Sequence, residues 1–346
     1  MKAIASIQAL RALAAWMVFL HHFIQYFLAA HWGAWAHAFA ERGILGVDIF
    51  FVVSGFIMFH VVTERPRFDA VEFGLARFFR IVPAYWFFTL VVILAKALSP
   101  SGFTNTEWTV ESLASSLVFV PAVNPASGTP LPTLIVGWSL NLEIVFYLTL
   151  CLCLAAGRKV GFALTAAFCF VLSALVPIPY GLMAEFALGM MLGIAWRSAP
   201  GAFAEIGRKP WIGIVVSLLS IVILVGAPLQ LRPVGAFLLV AAGLFLEPLA
   251  RKLHPRVLHL GDISYSTYLL HIIVLGLAYA AFEDARTWLE GAAIFALTAG
   301  VTVAASHLSF RYIERGHAVR AVHEHLRRRL SAKPLLQARG LAARRR

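Results

Sequence analysis

Five short stretches of this sequence hold ionisable or hydroxyl-bearing side chains within or beside apolar runs. Arg11 and His22 are eleven positions apart. At ~100° per residue that is close to three helical turns, so both share one face about 16 Å apart along the axis. A histidine ionises near neutrality and can take a proton from a hydroxyl as a general base. In a purely structural role it would pack in a polar corner while Arg11 reached toward lipid head groups. Asp48 lies in Gly46-Val47-Asp48-Ile49-Phe50-Phe51-Val52-Val53-Ser54-Gly55, whose glycines would also let helices approach closely. Ser139, Glu143 and Tyr147 have i, i+4, i+8 spacing and form one polar stripe. A glutamate beside a histidine would orient it and stabilise the imidazolium formed on proton transfer; a Glu–Arg ion pair is the structural alternative. Ser264, Thr267, Tyr268 and His271 make a second stripe, equally suited to hydrogen bonding between helices. Arg77 and Arg80, just before an apolar run, are either anchors at a membrane face or a clamp for phosphates, which guanidinium groups bind in fork geometry.

Helices must carry these residues, and the composition says in what medium. Of 346 residues, 60% are hydrophobic and only 13% charged, about half the charge of a typical soluble domain; the mean hydropathy is +0.82. Apolar runs at 4–30, 44–62 and 81–98 meet or approach the ~20 residues needed to span a bilayer. The expected fold is an all-α, polytopic transmembrane bundle of about ten helices, near 7–29, 43–62, 78–98, 137–156, 160–177, 180–197, 211–228, 231–249, 262–283 and 288–312. Residues 1–316 form the transmembrane domain, followed by a basic tail, 317–346, expected to be poorly ordered. The first run is too long for the apolar core of a secretory signal and contains Arg11, His21 and His22.

Alternate loops divide the charge. One set carries Arg65, Arg67, Arg77, Arg80, Arg158, Lys159, Arg197, Arg208, Lys209, Arg251, Lys252 and Arg256; the other carries Arg42, Arg232 and Arg286 among several acids. This asymmetry places both termini in the cytoplasm. The tail holds nine Lys or Arg against one Glu, +8 of the net +12. Such a segment beside a last apolar helix suits anionic lipid head groups, and argues against nucleic acid as the partner. The three cysteines set no disulfide framework, and Cys151 and Cys153 point to different sides of one helix. No metal site is expected. The outer connection, 99–136, is long enough to suggest function, with a short amphipathic helix at 110–120 lying on the membrane.

Taken together, the motifs resemble the membrane acyltransferase-3 family, bacterial O-acyltransferases of lipopolysaccharide, peptidoglycan, exopolysaccharide and antibiotic scaffolds. The marks are Arg11-x10-His22, Gly46-Val47-Asp48-Ile49-Phe50-Phe51-x-x-Ser54-Gly55, Arg77-x-x-Arg80-Ile81-x-Pro83-x-Tyr85, Trp138-Ser139-Leu140-x-x-Glu143-x-x-Phe146-Tyr147 and Ser264-Tyr265-x-x-Tyr268-Leu269-x-His271. They run in order through nearly the whole chain. One departure is Glu314-Arg315-Gly316, where the family often has Glu-x-Pro.

The resemblance implies an acyl group, commonly acetyl, taken from cytoplasmic acyl-CoA and delivered to a hydroxyl of a glycan, a lipid-linked glycan or another envelope acceptor. It implies acyl-CoA as co-substrate, no permanently bound cofactor, membrane lipids as surroundings and residence in the bacterial cytoplasmic (inner) membrane. Carried over residue by residue, His22 is the catalytic base, held by Glu143 or Asp48. Arg11, Arg77, Arg80 and Tyr85 line the donor side, and Ser139, Tyr147, Ser264, Tyr268 and His271 support the site. No hydrolase-like domain of the kind some members append is present, so the membrane domain, alone or with a partner, would handle the acceptor. The competing class is a transporter or flippase using the same buried charges as a path. The absence of internal repeats or of broken-helix symmetry speaks against it.

Overall fold

The computed structural model describes residues 4–29, 32, 33, 36, 45–176, 180–226, 228–317 and 319–328. Glu41 and Arg42 of the expected outer loop, and the tail from 329 onward, lie outside them. Every regular element among the described residues is helical. In chain order the α-helices are α1 (Ala5–Phe27), α2 (Leu45–Thr63), α3 (Ala70–Leu98), α4 (Val110–Leu117), α5 (Trp138–Cys153), α6 (Arg158–Leu175), α7 (Met183–Ser198), α8 (Pro200–Gly207), α9 (Pro210–Gly226), α10 (Arg232–Phe245), α11 (Glu247–Ala250), α12 (Pro255–Asp262), α13 (Ser264–Phe282) and α14 (Trp288–Ser309).

Each of the ten expected segments is helical, but fewer have the length to cross a bilayer. Seven are long and apolar enough, or eight if α8 and α9, bent by 95°, count as one span. The expected ten exceeds this because α7, α9 and α10 run only 16, 17 and 14 residues, short of the ~20 that match a hydrocarbon core. α3 differs in the other direction. It begins eight residues before the expected position because Asp69 caps it, accepting from Glu72 N–H at 2.9 Å. Arg77 and Arg80 therefore lie two turns inside the helix rather than ahead of it.

α2 is the central element, with its Val47, Ile49, Val52 and Phe56 in the core. Its glycines do what close packing requires. A Cβ on Gly55 would stand 2.0 Å from Phe186 O of α7, and one on Gly46 would stand 2.4 Å from Ala14 O of α1. The 99–136 connection folds down onto the bundle. α4 is fastened to α3 by Tyr85 Oη to Ser116 Oγ, 2.7 Å, and Trp86 Nε1 to Leu117 O, 2.8 Å, so it packs on a helix rather than lying free on the membrane.

α1 has no capping side chain of its own. Its first amides are instead taken by a distant carboxylate: Glu247 accepts from Ala5 N–H at 3.3 Å and from Ser6 N–H at 2.8 Å. Negative charge at a helix N-terminus is favourable, and these donors would otherwise be orphaned. Glu247→Ala is expected to cost ~1–2 kcal/mol, read as a lower unfolding temperature in detergent. An unchanged midpoint would mean that water caps α1 equally well.

Candidate active site

α1, α2, α3, α5 and α13 enclose a cavity of about 190 Å³. Most of the polar residues singled out in the sequence face it: Arg11, Arg77, Arg80, Ser139, Glu143, Tyr147, Ser264 and Tyr268. Glu143 sits in the middle of the α5 stripe. It accepts from Ser54 Oγ at 2.9 Å and, one turn along its own helix, from Tyr147 Oη. Ser54 was only part of a motif in the sequence; its contact across 89 residues makes it a wall of the cavity. At the next turn, Ser139 Oγ and Tyr268 Oη meet at 2.7 Å, and Tyr268 Oη also donates to Val136 O. Ser264 Oγ is buried in the lining with no partner among the described residues.

Three guanidinium groups face this one carboxylate. Arg80 is ion-paired with Glu314, whose side chain is 1% exposed and also accepts from Ser266; its guanidinium stands 5.3 Å from the Tyr265 ring centroid. In the sequence Glu314 marks only a departure from the family motif. Arg11 donates to Gln8 Oε1 at 3.3 Å. Arg77 has no hydrogen bond or ion pair among the described residues, its Nε is buried, and its guanidinium lies 6.0 Å from the Tyr147 ring centroid. Positive charge thus predominates in a partly enclosed site, where unpaired cations are expensive and call for an anion.

His22 stands just past the Tyr268 wall, and its partner is not the expected one. Neither Glu143 nor Asp48 holds it; its Nδ1 lies 3.1 Å from His271 Nε2 and 3.0 Å from Val18 O. The carbonyls decide the protons. His271 Nδ1 lies 3.1 Å from Thr267 O, an acceptor only, so Nδ1 carries the hydrogen and Nε2 of a neutral ring is an acceptor. His22 Nδ1 is then the donor to both His271 and Val18, and His22 Nε2 keeps its lone pair. The His271 ring lies 6.1 Å from that of Tyr268, which joins the pair to the cavity. Thr267 of the same stripe does not line the cavity and bonds to Ser306 of α14 at 3.0 Å.

Two expected site residues are elsewhere. Asp48 is fully buried and bonded to Arg232 Nη2 at 2.6 Å, with Glu185 beside it. Arg232, grouped with the outer-loop charges and at the start of the expected 231–249 helix, is 5% exposed and starts α10. The three lie in the first turns of α2, α7 and α10, so this is a joint between helices and not a wall of the cavity. Tyr85 is fully buried, bonded to Ser116 and packed beside Gly137; it anchors the 99–136 connection and is not among the residues lining the cavity.

The same segments are shared with known proteins. A family model described as an acyltransferase domain matches residues 4–307. This chain belongs to the acyltransferase-3 family. It is an acyltransferase, and the seven long apolar helices among the described residues make it a multi-pass membrane protein. The exopolysaccharide production protein ExoZ of Rhizobium meliloti (strain 1021) is 33% identical over 261 residues, covering 69% of this chain and 78% of that one. Acyltransferase MdmB of Streptomyces mycarofaciens is 27% identical over 321 residues, 78% of each chain. The peptidoglycan O-acetyltransferase OatA of Listeria monocytogenes is 32% identical over 97 residues, 27% of this chain and 14% of that one. No solved structure matches this family member.

Proposed function

We propose that this acyltransferase moves an acyl group, commonly acetyl, from cytoplasmic acyl-CoA to a hydroxyl of a glycan or other cell-envelope acceptor. The observation that carries the reading is the cationic cavity with the His22–His271 pair behind its Tyr268 wall. Both termini are cytoplasmic in this reading, in the bacterial inner membrane, with the short helices completing about ten crossings. Arg11 and Arg80 supply the charge that the phosphates of coenzyme A need, while a thin pantetheine arm passes Ser264 and Tyr268 toward His22.

His22 Nε2 takes the proton of the acceptor hydroxyl as its oxygen attacks the thioester carbonyl. The oxyanion is met by Ser264 Oγ, the hydroxyl left without a partner, with Tyr268 and Ser139 beside it. Collapse breaks the C–S bond, the thiolate takes the proton back from His22, and an ester and free coenzyme A leave. Glu143, fixed by Ser54 and Tyr147, balances the guanidinium groups. The relatives named for exopolysaccharide and for peptidoglycan favour a glycan acceptor.

Release of coenzyme A in the presence of candidate glycans is the deciding assay. A transporter would move substrate without consuming acyl-CoA. Arg11→Gln and Arg80→Gln are expected to raise the donor KM by about tenfold each, the equivalent of ~1.4 kcal/mol, with little change in kcat. An unchanged donor KM in both would remove the arginines from donor binding.

A further inference from the structure

A second cavity, of about 340 Å³, lies between α3 and α5 and against the Leu117–Phe119 segment. It shares two residues with the cavity described above, Arg77 and Tyr147. Otherwise its walls are apolar, and its rim faces outward: Phe78 is 43% exposed, Trp86 42%, Leu148 59% and Val118 65%. In a protein that spans a bilayer, such a rim opens sideways onto lipid. Ordinary boundary lipid would satisfy an apolar groove, but not the one charge in it. Arg77 has a buried Nε and no hydrogen bond or ion pair among the described residues, and a cation left so beside an apolar groove is costly.

An apolar groove ending on an unpaired guanidinium is complementary to one kind of molecule, an amphiphile with an anionic head. We propose that the groove binds a phosphate-bearing membrane lipid, its hydrocarbon chain along Phe78 and Trp86 and its phosphate on Arg77. The groove is then the lateral route by which a lipid-carried acceptor reaches the transfer cavity. Only the word acceptor rests on the acyl-transfer reading; the binding stands apart from it. Phosphate suits the site because guanidinium binds it through paired hydrogen bonds.

The experiment uses the full-length protein in phosphatidylcholine vesicles containing equal fractions of either tail-brominated phosphatidic acid or tail-brominated phosphatidylcholine. The signal of Trp86 is the difference between the protein and its Trp86→Phe variant. Brominated phosphatidic acid is expected to quench Trp86 with an apparent affinity about fivefold above that of the zwitterionic lipid. Arg77→Gln should erase that preference. Gly74→Leu should reduce quenching by both lipids: Gly74 lines the groove, and a Cβ there meets nothing within 4 Å, so the added chain fills the groove without forcing the helix. Transfer to a water-soluble acceptor should be unchanged in Gly74→Leu. Equal quenching by the two lipids would leave only boundary lipid and overturn the proposal. So would a preference that survives Arg77→Gln, or quenching untouched by Gly74→Leu. Because the readout is fluorescence, failure here leaves coenzyme A release intact, and failure of that assay leaves lipid binding intact.

Discussion

Replacing His22 with alanine is expected to lower acyl transfer by about 10²- to 10⁴-fold, the range a positioned general base contributes, with the unfolding temperature unchanged. The expectation follows from where the hydrogens must be. Val18 O and Thr267 O can only accept, so His22 and His271 each carry hydrogen on Nδ1 and His22 Nε2 is left basic. His271 therefore does the work that a carboxylate does in a serine hydrolase triad, holding the tautomer, but without a negative charge. His271→Ala should accordingly lower kcat less than His22→Ala and leave the donor KM alone, whereas a merely structural His271 would lower stability and not kcat. The fold cost of His22→Ala is small because its two contacts join ring nitrogens to its own helix and to a neighbouring ring. Turnover retained by the His22→Ala protein would end the assignment.

The second large effect is on stability. Arg232→Met is expected to cost ~3–5 kcal/mol, the usual result of removing one partner from a buried ion pair. Asp48 is fully buried, Arg232 nearly so, and Glu185 adds a second carboxylate with both oxygens otherwise unpartnered. Without the guanidinium, two carboxyl groups would face each other with no cation in reach. Removing the charge from both sides should undo most of the loss, since a buried pair replaced by apolar side chains of similar size is often neutral. The comparison is thermal unfolding in detergent of Arg232→Met against Arg232→Met combined with Asp48→Leu. The single variant should be the least stable and the double variant should recover. Normal stability with lost turnover in the single variant would return Asp48 to the transfer site.

These two clusters differ in how far they could be read from the chain. The Ser139–Glu143–Tyr147 stripe was legible because helical spacing alone puts those side chains on one face, and all three meet the cavity. Helical spacing likewise puts Arg11 and His22 on one face, but only Arg11 lines the cavity. The membrane-spanning, all-helical character was legible from composition, since lipid leaves a helix as the only economical way to satisfy the backbone. The family was legible because its motifs are local strings.

Partners between helices were a different matter. Periodicity says which residues share a face, but nothing about which way that face is turned. The turning is set by close contacts such as Gly55 on Phe186 and Gly46 on Ala14. The packing of the helices brings His22 to His271, 249 residues away, and Asp48 to Arg232, 184 residues away. It also puts Arg77 between a polar cavity and an apolar groove. The chain determined by itself that this is a helical membrane acyltransferase with charges buried in it; which of those charges meet was decided by the packing of one helix on another.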